Sequence, residues 1–170
     1  VGTTAPPAST ALPTTTTKPR SARGLIQKKI GEIAGFGGTG SIDSSQVKFT
    51  LDAIQVDAKC SAKYASRSEN GHLVVLSWTI QTSADMEPAM GGMFNPHSFA
   101  VVGQDGLTEA NVATAATYSC LKDSEQLPVG DLAAGSKYVG KLVLDTRSTS
   151  GVITFRPTGL DTSGGWEWPF

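Results

Sequence analysis

From Val47 onward, apolar and polar residues alternate with a period of two. Val47, Phe49 and Leu51 share one face, and the phase then shifts to Ile54, Val56 and Ala58 ahead of Cys60. Such alternation marks a strand with one buried face, and a phase shift within it means one extra residue, so a β-bulge is expected near Ala53. Asn70-Gly71 is a turn signal, and the following segment, His72–Thr82, places Val74, Leu76, Trp78 and Ile80 on a single face. Further strands are expected over residues 98–102, 117–121, 137–145 and 152–156, with a helical turn at most over 110–116. Short strands divided by Gly, Pro, Asp and Asn turns, with no amphipathic helix between them, predict an all-β sandwich of two antiparallel sheets rather than a βαβ arrangement.

Composition supports this reading and divides the chain. The 170 residues include 19 Gly and 9 Pro, a turn-rich make-up suited to short strands, and the length suits one hydrophobic core. The opening run of Thr, Pro and Ser through Thr17 has little to bury and is expected to stay extended as a stalk. Residues 18–29 continue as a basic linker, so residues 1–29 are read as a disordered tail and 30–170 as the compact domain. The cations Lys18, Arg20, Arg23, Lys28 and Lys29 precede the first acid, Glu32, which leaves nine basic against 15 acidic residues for the remainder. An acidic body argues against a nucleic-acid partner, whose phosphates are neutralised by Lys and Arg. No window approaches the roughly 18 apolar residues of a membrane span. The first residue is Val1 rather than Met, as processing of a targeting segment or simple trimming would leave it.

The two cysteines, Cys60 and Cys120, stand outside any metal-ligand spacing, and a disulfide between them is the simplest reading. Closing a loop of that length stabilises a fold by about 4 kcal/mol in the chain-entropy account, and it implies an oxidising compartment. Cys60, Trp78 and Tyr118-Ser119-Cys120 echo the Cys, Trp and Tyr-x-Cys layout of immunoglobulin domains, where the Trp packs on an inter-sheet disulfide. The expected fold is therefore an immunoglobulin-like β-sandwich, with a different strand order because at least two strands follow Cys120.

The segment from Leu127-Pro128-Val129-Gly130 through Gly140-Lys141-Leu142-Val143-Leu144-Asp145, followed by Ile153-Thr154-Phe155-Arg156-Pro157, resembles a known family. That family is the domain-of-unknown-function lipoproteins of Gram-positive bacteria, whose immunoglobulin-like sandwich is similar to the mycobacterial immunoprotective extracellular protein. Ile30-Gly31-Glu32, Gly71 to Leu76, Asn95-Pro96 with Phe99, and the Trp166/Trp168 ending extend the likeness over residues 30–170. The resemblance implies secretion, often on a lipid-modified cysteine ahead of a Thr/Ser/Pro stalk. It implies no reaction and no catalytic residues.

Candidate chemistry is sparse. Gly35-Phe36-Gly37-Gly38-Thr39-Gly40 has the spacing of a phosphate-binding loop, but it leads toward a strand instead of a helix and reads as a flexible loop. The histidines, His72 and His97, accompany no nucleophile motif, and carboxylates such as Asp52 with Asp57 or Asp85 with Glu87 read as surface charges. Met86, Met90, Met93 and His97 crowd one Gly/Pro-rich loop, a set of soft and borderline ligands suited to Cu(I) or, more simply, gap-filling methionines at the end of a sandwich. Trp166, Trp168 and Phe170 alternate, so an extended C-terminus puts their rings on one face, either as a surface strip for a sugar or protein or as a latch closing the core.

These observations predict a non-catalytic, extracellular or envelope-associated interaction domain with no cofactor, binding a protein or envelope ligand. Its membrane contact is expected only through an N-terminal lipid anchor. Extracytoplasmic copper binding by the Met86/Met90/Met93/His97 loop is the alternative.

Overall fold

A computed structural model describes residues 19–128, 131–160 and 164–170. Among these residues the strands are β1 (Ile26–Gln27), β2 (Ala34–Phe36), β3 (Val47–Val56), β4 (His72–Thr82), β5 (Phe99–Gly103), β6 (Thr108–Glu109), β7 (Lys137–Thr146), β8 (Gly151–Phe155) and β9 (Trp166–Pro169). One short α-helix, α1 (Ala115–Ser119), and three 3-10 turns, Pro88–Gly92, Pro96–Ser98 and Asp123–Glu125, lie between them. The strands form two sheets, one in the order β1-β9-β8-β5-β6 and one in the order β2-β3-β4-β7. All pairings are antiparallel except that of β1 with β9. The all-β sandwich expected from the alternation is the observed fold.

The β3–β4 register slips between Leu51 and Ala53, so the bulge lies where the phase changes. The bulged residue, Asp52, accepts hydrogen bonds from the hydroxyls of Thr50 and Thr79, both at 2.7 Å, which satisfies its carboxylate outside the core. Past the bulge Ile54 and Val56 are only partly buried, whereas Val47, Phe49 and Leu51 are fully buried.

The facing sheets meet through aromatic rings. Phe49, central on β3, lies edge-on to Trp166 at 5.0 Å and to Phe155 at 5.5 Å, and Trp78 stands at 87° to Trp168 at 5.5 Å. Such edge-to-face pairs satisfy the ring quadrupoles, each adding about 0.5–1.5 kcal/mol beyond the area buried.

Three expectations are corrected here. Residues 19–29 are not only linker: Leu25 is buried, Ile26–Gln27 forms β1, and the amide of Lys28 donates to the Glu167 carbonyl. The expected tail over residues 1–18 lies outside the described residues. The segment 117–121 is not a strand but the end of α1 and its exit, because Thr114 and Thr117 form a reciprocal capping box that starts a helix at Ala115. Finally, the Cys60–Cys120 disulfide forms, but not between the sheets. It packs with Val75, Leu121 and Val143 on the outer face of the β2-β3-β4-β7 sheet, while Trp78 points into the core from the same strand. The immunoglobulin echo thus has the right residues bonded in a different place.

Candidate functional site

The methionine loop is occupied by packing. Met86 and Met93 are buried in the aromatic core and Met90 is partly buried against it. A Cβ on Gly37 would come within 2.8 Å of the Met90 sulfur, and one on Gly159 within 3.3 Å of the Met93 methyl, so two glycine turns leave the room these side chains fill. Gly38 has a positive φ of 74°, and a Cβ there would fall 2.0 Å from the Ser44 carbonyl oxygen. The glycine run therefore serves close approach within its own loop, between β2 and β3, and no helix follows it. His97 is exposed, with its Nε2 3.1 Å from the Tyr118 hydroxyl. Among the described residues, no group of three or more His, Cys, Asp and Glu side chains is placed to hold a metal ion.

Trp166 and Trp168 lie inside the core and offer no surface strip; with Phe170 packed at the edge of the core, they close the chain end onto the sandwich. The alternation that puts both rings inward puts Glu167 outward, yet its side chain is fully buried beneath Arg23. The Arg23 guanidinium grips it at two points, Nε to Oε2 at 2.8 Å and a terminal nitrogen to Oε1 at 3.1 Å. Burial alone would raise the carboxyl pKa, but the hydrogen bonds and charge of Arg23, with support from Gln27 and Ser21, hold it below the usual range.

A second buried carboxylate escaped the sequence reading. Asp145, at the end of β7, accepts hydrogen bonds from the Ser68 hydroxyl (2.5 Å), the Thr114 hydroxyl (2.6 Å), and the amides of Glu69 (2.7 Å) and Asn70 (3.2 Å). Burial opposes ionisation, and these donors outweigh it, so the group titrates below an ordinary aspartate. Asp145 thus clamps both the β3–β4 connection and the start of α1 to the sheet. All its acceptor capacity is engaged, which makes it a structural anchor and not an acid or base. The surface pair Asp57 and His72, Oδ1 to Nδ1 at 2.8 Å, joins the end of β3 to the start of β4.

The outer faces of the two sheets differ. That of β2-β3-β4-β7 carries the disulfide cluster, the β3–β4 connection and α1. The outer face of the other sheet holds a groove of about 330 Å³. Its floor is Ala100, Val102 and Thr154, which alternate with the core residues Val101, Ile153 and Phe155. Arg23 and Arg156 rim one side, Thr108 and Ala110 the other, with His97 at the margin. Arg156 is held by a 2.9 Å hydrogen bond to the Arg23 carbonyl oxygen. Because the Arg23 charge is already paired with Glu167, the cation this floor presents at its rim is Arg156, and the concavity can bind an extended or planar ligand bearing a negative group.

No family model matches the chain, and no curated protein matches its sequence. The chain is similar to two solved structures. One is a secreted protein of Mycobacterium tuberculosis, MPT63, at 16% identity and a TM-score of 0.46, covering 84% of this chain and 97% of that one. The other is the yjhA protein of Bacillus subtilis, at 12% identity and a TM-score of 0.47, covering 83% and 97% respectively.

Proposed function

We propose that this chain is a non-catalytic, extracellular or envelope-associated interaction domain that binds its ligand in the groove on the outer face of the β1-β9-β8-β5-β6 sheet. The observation that carries this reading is the groove itself, an open concavity over β5 and β8 with Arg156 fixed at its rim. The Thr/Pro-rich composition of residues 3–17 supports a tether, on an N-terminal lipid or otherwise, and the disulfide supports an oxidising compartment. Binding in a groove of fixed backbone requires no conformational change and no reacting group.

The test is co-sedimentation of the purified chain with Gram-positive cell walls, comparing the natural sequence with Ala100→Trp, which fills the groove floor. The expected result is retention of the natural chain and at least about a tenfold loss for the variant, with an unchanged melting temperature. Equal retention of both, or release of soluble wall fragments by the chain, overturns the reading.

A further inference from the structure

The β3–β4 connection, residues 57–71, is long for a hairpin loop, contains no regular structure and is nevertheless fastened at several points. The disulfide ties Cys60 to Cys120. The Ala62 amide donates to the Cys120 carbonyl at 3.1 Å, the Lys122 amide to the Ser61 hydroxyl at 3.1 Å, and the Ser66 amide to the Ser119 hydroxyl at 2.9 Å. Segment 60–66 therefore runs alongside 119–122 as one rigid ridge.

That ridge concentrates exposed cations on an otherwise acidic body. Lys59, Lys63, Arg67 and Lys122 are all exposed, and they are four of the nine basic residues that follow Glu32. Three of the neighbouring carboxylates have partners of their own, Asp57 with His72, Glu69 with the Ala115 amide, and Glu125 with Ser61 and Lys141, which leaves Asp123, exposed beside Lys122, as the acid set against four cations. In their midst Tyr64 is 83% exposed, the most exposed large hydrophobic among the described residues. The Lys63 ammonium sits over its ring at 5.2 Å from the centroid.

We infer that this ridge is a binding site for an anionic glycan, independent of the groove. A tyrosine ring stacks on the C–H face of a sugar, and flanking ammonium and guanidinium groups take the carboxylate or phosphate that the same polymer carries. The aromatic is what separates this ligand from a bare polyanion, which needs cations alone. Because the ridge is already fastened, binding orders little further backbone.

The experiment is calorimetric titration of the full chain with polygalacturonate and, separately, with inorganic polyphosphate, at about 0.05 M and about 0.5 M salt, since screening shortens the reach of such charges. Polygalacturonate is expected to bind at low salt and to weaken at high salt. Lys59→Ala/Lys63→Ala/Arg67→Ala is expected to weaken it about a hundredfold, taking roughly fivefold per cation. Tyr64→Ala is expected to weaken polygalacturonate about tenfold while leaving polyphosphate unchanged. All these side chains are exposed, so the melting temperature should not move. Absence of polygalacturonate binding at low salt overturns the inference, as does binding indifferent to Tyr64→Ala. Tighter, Tyr64-dependent binding to phosphatidylglycerol vesicles than to polygalacturonate also overturns it, since the ridge would then be a membrane-contacting face.

Discussion

Replacing Cys60 and Cys120 together by alanine removes a cross-link between residues 60 apart in sequence. Loop-closure entropy for that length stabilises the fold by about 4 kcal/mol, and the small void left beside Val75, Leu121 and Val143 adds about 1 kcal/mol. Against a typical total of about 5–15 kcal/mol, the loss is a third of the stability or more and is read directly in a urea titration. The position of the bond makes a sharper claim than its magnitude. Because the disulfide lies outside the sandwich, the aromatic cluster around Phe49, Trp78 and Trp168 keeps its packing when the bond is gone. Near-ultraviolet circular dichroism should therefore be preserved in the folded variant, while amide exchange accelerates in residues 57–71 and in α1. Collapse of the aromatic signal under native conditions, or a stability loss below about 1 kcal/mol, would refute this placement of the bond and the entropy argument respectively.

Asp145→Asn turns an amide NH₂ toward donors that now face a carboxylate, and should cost about 2–4 kcal/mol by chemical denaturation. Both Asp145 and Glu167 have folded pKa values lowered below their unfolded ones, so the unfolded chain takes up protons first as the pH falls. Their stabilisation is complete above the unfolded range near pH 4 and is lost below it; melting temperatures from about pH 6 to pH 2 should drop steeply in that window, and less steeply for Asp145→Asn/Glu167→Gln. Gly38→Ala combines a positive φ with a 2.0 Å collision against the Ser44 carbonyl, whereas Gly40→Ala, at φ 92°, meets no atom within 4 Å. The first should cost about 2–3 kcal/mol and the second about 1 kcal/mol, and equal losses would mean that φ alone sets the penalty.

Long strands were legible because each has one buried and one open face. β3 with its bulge, β4 and β7 follow the alternation closely. The strands of two or three residues, β1, β2 and β6, are too short to show a period, and β1 hid among the basic residues of the linker, whereas β9 showed itself in the Trp166/Trp168 alternation. α1 was missed because Thr, Tyr and Cys suggest a strand by propensity, whereas the spacing Thr114-x-x-Thr117 starts a helix. The cysteine pairing followed from there being two of them, but its position depended on which face of β4 each neighbour took, which pairing alone does not determine. The two buried carboxylates did leave a signal. Leu142-Val143-Leu144-Asp145 and Trp166-Glu167-Trp168 each set one acid in an apolar run, where a charge persists only if donors are waiting for it. The candidate groove left none, since Ala100, Val102, Thr154 and Arg156 are ordinary outward residues until two strands bring them together.

The division of labour between the sheets follows from where stabilisation resides. The ring cluster between the sheets includes both buried tryptophans of the chain end, so closing the sandwich needs no contribution from either outer face. Apolar burial of this kind is non-directional and tolerates change outside it. The β2-β3-β4-β7 side then adds directional restraints, the Cys60–Cys120 bond at one part of the β3–β4 connection and the Asp145 clamp at another. Restraints so placed add little to the core and fix the shape of a surface loop. A 15-residue connection left unfastened would sample many conformations and lose binding affinity to ordering entropy. Fastening it on one sheet while leaving the other sheet's backbone to form a groove gives two surfaces of set geometry on one small domain, each able to change its side chains without disturbing the rings between them.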